Sequence, residues 1–231
     1  MNESLQTVYT GGTGVALEQR NRVLRNTYWL LALSLVPTVL GAWVGVSTGV
    51  IARMGTGMSV LLFFGGAFAF IFAIEKTKNS SAGVGVLLAF TFFMGLMLSR
   101  LLAVILGFRN GPSLIMMAFG GTAGVFFAVA SLATVIKRDL SGMAKFLYVG
   151  AAVLIVASLL NIFLFQSSAL MLTVSVIAIG LFTAFMLYDI KQVIDGGETN
   201  YITATLQIYL DLYNIFQSLL AILGFAGGDR D

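Results

Sequence analysis

Two aspartates stand where an apolar chain has no cheap use for them. Asp189 lies in Leu187-Tyr188-Asp189-Ile190, and Asp211 lies in Tyr209-Leu210-Asp211-Leu212-Tyr213-Asn214. Each is inside or at the edge of an apolar run long enough to cross a membrane. A charge at the bilayer centre costs about 2.5–3.5 kcal/mol on insertion scales, so an acid held there marks a candidate site by default. Two carboxyls that meet in such a place titrate as a unit. With a proton between them they share a hydrogen bond and hold their helices together. With both ionised they repel, part, or take up a cation, which makes the pair an element that pH can bias.

The chain contains no histidine and no cysteine. Carboxylates are therefore the side chains left to sense pH near neutrality. A disulfide framework and the usual Zn, Cu, haem and iron–sulfur ligand sets are excluded. Calcium takes about six to eight oxygens. Two carboxylates with nearby amides and backbone carbonyls supply a partial shell, which suits transient coordination of a passing ion better than storage. No resident cofactor is expected; Asp189 and Asp211 would meet calcium only as a permeant ion.

Asp211 falls about ten residues into its segment, roughly 15 Å along a helix axis. Asn200, Thr203, Gln207, Asn214 and Ser218 stand at steps of three or four from it. Together they form one polar stripe, which must face a bundle interior or water. A plainer reading of Asp211 is a packed, hydrogen-bonded carboxyl. Asp189, beside Tyr188 and close to Lys191, also fits a solvated helix end. Arg100 either snorkels to the outer interface or pairs with an interior carboxylate. Gly196-Gly197, between the two acidic segments, is a candidate hinge.

The elements that carry these residues follow from composition. Of 231 residues 58% are hydrophobic and 10% charged, with 19 Phe and 26 Gly. Soluble domains run at about 25% charged, so the solvent here is lipid. A helix needs roughly 20 apolar residues to cross the hydrocarbon core. Spans are predicted at 26–46, 57–75, 83–106, 113–136, 143–165, 169–190 and 201–224. The expected fold is an all-α, seven-helix transmembrane domain over 26–225, between an N-terminal tail (1–25) and a short C-terminal tail (226–231). The N-terminal tail reads as flexible; its Gly11–Gly14 run lacks the Lys-Ser/Thr and the preceding strand of a phosphate loop. Pro37 is compatible with a kink inside the first span, and Pro112 sits where a helix start tolerates it. Gly41/Gly45 and Gly120/Gly124 are candidate close helix crossings.

Counting the N-terminal tail and every second loop gives Arg20, Arg22, Arg25, Lys76, Lys78, Lys137, Arg138, Lys145 and Lys191, against Arg53, Arg109 and Arg230 on the other side. The positive-inside rule then places the N-terminus in the cytoplasm. The expected partners are a lipid bilayer, calcium ions and protons, and no nucleic acid.

Several blocks resemble a known family. Leu24–Leu35 (LRNTYWLLALSL), Gly120–Phe127 (GGTAGVFF), Lys137–Ser141 (KRDLS), GGETNYITAT and YLDLYNIFQSLLAILGF are similar to the transmembrane BAX inhibitor motif (Bax inhibitor-1-like) family, in its bacterial YccA-like branch. The resemblance covers the chain from about residue 20. It implies six helices surrounding a central C-terminal seventh. It also implies an aspartate pair, here Asp189 and Asp211, acting as a pH-sensitive latch for calcium leak in the bacterial cytoplasmic membrane. Some YccA-like relatives are associated with the membrane-bound AAA+ protease FtsH as modulators, which makes FtsH a candidate partner through residues 1–25.

Two departures stand out. Where the family often has a latch arginine near the end of the second helix, this chain has Glu75-Lys76-Thr77-Lys78, and where Gly-Pro is expected in the third it has Ser99-Arg100. Lys76, Lys78 and Arg100 are the candidate basic partners, although an ammonium does not reproduce a guanidinium fork. An intramembrane aspartyl protease is the weakest reading: Tyr188-Asp189 fits its YD element, but Asp211 lacks the GxGD context. No enzyme is expected.

Overall fold

The computed structural model describes the backbone of residues 3–228 and the side chains of residues 18–228. Seven long helices follow in order: α1 (Glu3–Thr48), α2 (Thr56–Thr77), α3 (Ser81–Leu106), α4 (Gly111–Val135), α5 (Ala144–Leu160), α6 (Ser168–Asp195) and α7 (Tyr201–Gly227). A 3-10 turn at Ser141–Met143 leads into α5, and a π turn at Asn161–Phe165 ends it. Each of the seven supplies a segment long and apolar enough to cross a membrane. The hydropathy boundaries agree with the helix ends to within a few residues, except at the start. There α1 is already helical from Glu3 and runs on without a break at residue 26. Hydropathy marks where lipid begins, whereas a helix continues until backbone chemistry stops it. No proline precedes Pro37, and α1 passes through that residue too.

The helix at the centre is α7. Ile202, Ala204, Thr205, Ile208, Tyr209, Asp211, Tyr213, Ile215 and Leu220 are all buried, so no wide face of α7 is left to lipid. It packs on α1, α2, α3, α4 and α6, while α5 packs chiefly on α6 and joins the ring from outside it. Hydrogen bonds tie α7 to α1 and α3. The Tyr209 hydroxyl meets Thr38 Oγ1 at 2.9 Å and the Thr91 carbonyl at 3.4 Å. Tyr213 donates to the Met94 carbonyl at 3.3 Å, and Thr205 to the Thr27 carbonyl at 3.3 Å. Inside a bilayer such donors have no water to fall back on.

Glycines set how closely α1 and α3 approach. A Cβ on Gly41 would run into the Phe92 carbonyl, one on Gly95 into the Thr38 carbonyl, and one on Gly45 into Ser99. Apolar helix faces gain little by leaving lipid for each other, so backbone approach at small residues is what holds such a crossing. The second expected crossing is absent: a Cβ on Gly120 or Gly124 would meet nothing within 4 Å. Helix α4 turns Leu114, Ala118, Thr122, Val129 and Ala133 inward, and this register puts both glycines on its outer side.

Asn200 locks the entry to α7. Its Oδ1 accepts from the backbone N–H of Ile202 (2.9 Å) and Thr203 (3.2 Å), capping the helix. Its Nδ2 donates to the Lys78 carbonyl and to Asn79 Oδ1, both at 3.0 Å, which clamps the α2–α3 turn onto the α6–α7 turn. Asn200→Ala is expected to cost about 1–2 kcal/mol through the cap, read as a lower melting midpoint in detergent. Asn200→Asp keeps the cap, loses the clamp, and should fall between wild type and Ala.

Candidate functional site: an acid pair between the last two helices

Helices α6 and α7 run antiparallel and are joined by the turn at residues 196–200. Asp189 stands six residues before the end of α6 at Asp195, and Asp211 ten residues after the start of α7 at Tyr201. At 1.5 Å per residue these heights differ by about 6 Å. Side chains lean toward the N-terminus of their own helix. In antiparallel helices that tips Asp189 away from the shared turn and Asp211 toward it, so the leans close the gap. The two carboxyls lie within hydrogen-bonding reach of each other. The residues are 5% and 4% exposed, so water does not screen them. Two carboxyls can bond in this way only if one holds a proton, because an ionised carboxylate only accepts. Asp211 Oδ2 is buried with no hydrogen-bond donor on it among the described residues.

The ends of both helices are set by local chemistry. α6 stops at Gly196, whose φ of 82° is left-handed. The Gly196 N–H donates to the Val193 carbonyl (3.2 Å) and the Gly197 N–H to the Gln192 carbonyl (2.8 Å), the two bonds of a Schellman turn. The expected glycine hinge is therefore a defined helix stop in this conformation.

Of the polar stripe, Asp211 alone is fully enclosed; Thr203, Gln207, Asn214 and Ser218 are half-buried. Asn214 Nδ2 donates back to the Leu210 carbonyl at 2.7 Å, while Thr203 Oγ1 is buried without a partner among the described residues. The three candidate basic partners have other company. Lys78 Nζ pairs with Glu75 Oε1 at 2.6 Å, Lys76 lies over the Phe72 ring at 5.3 Å, and Arg100 donates to Thr56 Oγ1 at 3.2 Å. Glu198 of the α6–α7 turn is the further charge acting on Asp189. The phenol of Tyr148, on α5, lies within electrostatic reach of both acids and of Tyr188.

Lys191, counted above for orientation and as a neighbour of Asp189, has a partner of its own. It is buried at 7% exposure, with its Nζ on Asp195 Oδ1 at 2.6 Å. The Lys191/Asp195 spacing of four, on one helix face, was the available signal. Lys191 also lines an open cleft of about 190 Å³ with Asp139, Tyr188 and Asp195. Asp139 is held below the usual carboxylate range by the Ser141 N–H and hydroxyl, each at 2.8 Å. A lowered value means that it stays ionised as pH moves from about 5 to about 8, the range in which an unperturbed sensor would titrate. Asp139→Asn is therefore expected to leave the pH profile of any transport activity unshifted; a displaced midpoint would contradict this. Among the described residues, no three acidic side chains gather into a metal-holding group.

Residues 20–228 match the family model Bax1-I, described as inhibitor of apoptosis-promoting Bax1. The chain is 38% identical over 214 residues to a protein of Escherichia coli K12 named modulator of FtsH protease YccA, covering 93% of this chain and 94% of that one. It is 41% identical over 214 residues to an uncharacterised protein of Pseudomonas aeruginosa, covering 92% and 94%. It is 37% identical over 210 residues to an uncharacterised membrane protein of Vibrio cholerae, covering 89% and 90%.

Proposed function

The chain belongs to the Bax inhibitor-1-like (Bax1-I) family, and on that premise we propose that it is a non-enzymatic calcium leak channel or exchanger, gated by protonation of Asp189 and Asp211. It works in the bacterial cytoplasmic membrane with its N-terminus in the cytoplasm. The observation that carries this reading is the close approach of two enclosed carboxyls between the central helix and its neighbour. Sharing a proton, the pair bonds α6 to α7 and the path is shut. Losing it, two carboxylates in contact repel, and the oxygens become available to a divalent cation that neutralises both. The shell they offer is incomplete, so the ion is held briefly and passed on.

The test is calcium flux into proteoliposomes of the purified protein, measured against pH. Flux is expected to rise with pH in the wild type and to lose that dependence in Asp211→Asn. Equal flux in wild type and variant at every pH would sink the reading.

A second reading rests on a relative rather than on the pair. The E. coli protein that shares 93% of this chain's length is named a modulator of the FtsH protease. By that likeness the chain would bind a membrane-bound AAA+ protease, with the N-terminal part of α1 as the contact. Copurification with FtsH that is lost on deleting residues 1–25, while flux is unchanged, would favour it. The two readings are compatible.

A further inference from the structure

Helices α4 and α5 follow one another in the chain, yet they hardly meet; each packs on α6 instead. Toward α5, helix α6 presents Leu181, which fits against Gly150, and Phe185, which meets Tyr148 edge-on with ring centroids 5.3 Å apart. Toward the core it presents Met186 and Ile190. A third face is left, on which Ile177, Gly180, Ala184, Tyr188, Lys191 and Asp195 follow at steps of three or four residues. This face is open where it is apolar. Ile177 is 53% exposed, and a Cβ on Gly180 would meet nothing within 4 Å. At its other end the α4–α5 connection lies over it, and Asp139, Leu140 and Ser141 form with Tyr188, Lys191 and Asp195 the cleft of about 190 Å³. The result is an apolar trough that ends in a small polar cleft.

The rim of this cleft is positive. Lys137 and Arg138 in the connection and Lys145 in the first turn of α5 are exposed, and none is in an ion pair among the described residues. The acid between them does not neutralise them, because Asp139 is engaged by the Ser141 N–H and hydroxyl. Asp195 is likewise engaged, by Lys191. These cations stand where the apolar run of α4 ends at Val135 and that of α5 begins at Ala144, the level at which lipid head groups lie. Basic rims over gaps between transmembrane helices take anionic head groups. The cleft adds a second requirement. It is smaller than the roughly 300–1,000 Å³ of a pocket for a whole drug-sized ligand, so it takes a fragment. A carboxylate offers about four lone-pair sites, so Asp139 and Asp195 can each accept further hydrogen bonds, and hydroxyl groups would supply them.

We propose that the trough on α6 beneath the α4–α5 connection is a binding site for an anionic phospholipid with a hydroxyl-bearing head, of the phosphatidylglycerol class. The phosphate rests on Lys137, Arg138 and Lys145. The glycerol hydroxyls enter the cleft and donate to Asp139 and Asp195, and an acyl chain lies over Ile177, Gly180 and Ala184. A phosphate without hydroxyls would leave those carboxylates unused, and a choline head would bring a cation to a rim that is already positive. The site lies on the outer face of α6, apart from the Asp189–Asp211 contact with α7, and holds whether or not the chain carries calcium.

The test is native mass spectrometry of the full-length protein in detergent, titrated with phosphatidylglycerol, phosphatidic acid or phosphatidylcholine of identical acyl chains. Phosphatidylglycerol is expected to bind tightest, phosphatidic acid less well and phosphatidylcholine least. Lys137→Gln, Arg138→Gln and Lys145→Gln combined should weaken phosphatidylglycerol binding about a hundredfold, at roughly fivefold for each cation at a charged surface. Arg22→Gln, Arg25→Gln and Lys76→Gln combined remove the same charge from α1 and α2 and should leave binding nearly unchanged. Gly180→Leu fills open space without a clash, so it should melt with the wild type and still bind the lipid more weakly. Equal binding of phosphatidylglycerol and phosphatidylcholine, or equal losses in the two triple variants, would overturn the site. Phosphatidic acid binding as tightly as phosphatidylglycerol would overturn the placing of the glycerol in the cleft, and unchanged binding in Gly180→Leu that of the acyl chain.

Discussion

Gly95→Leu is expected to leave little or no folded protein, whereas Gly120→Leu should change almost nothing. At Gly95 the first added carbon would collide with the Thr38 carbonyl, which belongs to the backbone of α1. A flexible side chain could step aside, but a backbone carbonyl cannot move without separating α1 from α3. Overpacking typically costs about 1–3 kcal/mol even where neighbours can adjust, and here the larger part of the leucine has nowhere to go. Separation would also break the contact with Tyr209, which is made by the side chain of the same Thr38. At Gly120 nothing lies within 4 Å of the new carbon, and the leucine would extend into lipid. The measurement is the monodisperse yield and melting midpoint of both variants in one detergent. A Gly95→Leu protein that melts with the wild type would show that α1 and α3 do not need their close approach.

The second large effect concerns the acids as a unit. Asp189→Asn and Asp211→Asn should each abolish the pH dependence of calcium flux, and the double variant should go no further than either single one. A shared proton belongs to the pair, so removing one acid removes the titration, and neighbours of this kind are non-additive. A charge-assisted hydrogen bond worth about 1.5–3 kcal/mol corresponds to roughly a ten- to hundredfold change in the open population. That is the expected span of wild-type flux across the transition. Two single variants that each remove half of the pH response, adding to the whole in the double, would mean two independent sensors rather than one clamp.

How far the site was legible in the chain can be traced through individual residues. Asp211 was conspicuous because lipid makes an interior acid expensive, a rule that needs no coordinates. Asn200 was visible as part of a polar stripe, yet its work is to cap α7 and hold the α2–α3 turn, and a periodicity cannot distinguish a wall from a clamp. Lys191 looked like a loop charge, since its burial depends on the fold of the α4–α5 connection beside it. Tyr209 and Tyr213 carry no signal of their role in the sequence, because their acceptors are backbone carbonyls more than a hundred residues away. Of two identical glycine spacings, Gly41/Gly45 meets another helix and Gly120/Gly124 faces away from one. Spacing is a property of one helix, while a crossing needs the orientation of two.

What the sequence by itself determined is the solvent and therefore the architecture: with so few charges and no long polar segment, the backbone must satisfy itself in helices, and seven apolar runs allow seven of them. It also determined that any response to mild pH change rests on carboxylates, because histidine is absent. What only the tertiary structure decided is which residues meet. The opposite lean of two antiparallel helices brings Asp189 to Asp211, and the rotation of each helix about its axis leaves Lys76, Lys78 and Arg100 with Phe72, Glu75 and Thr56 instead. Hydropathy is nearly blind to that rotation in a membrane, since apolar side chains suit lipid and core alike. It is settled by the few positions where backbones touch or polar groups must find each other.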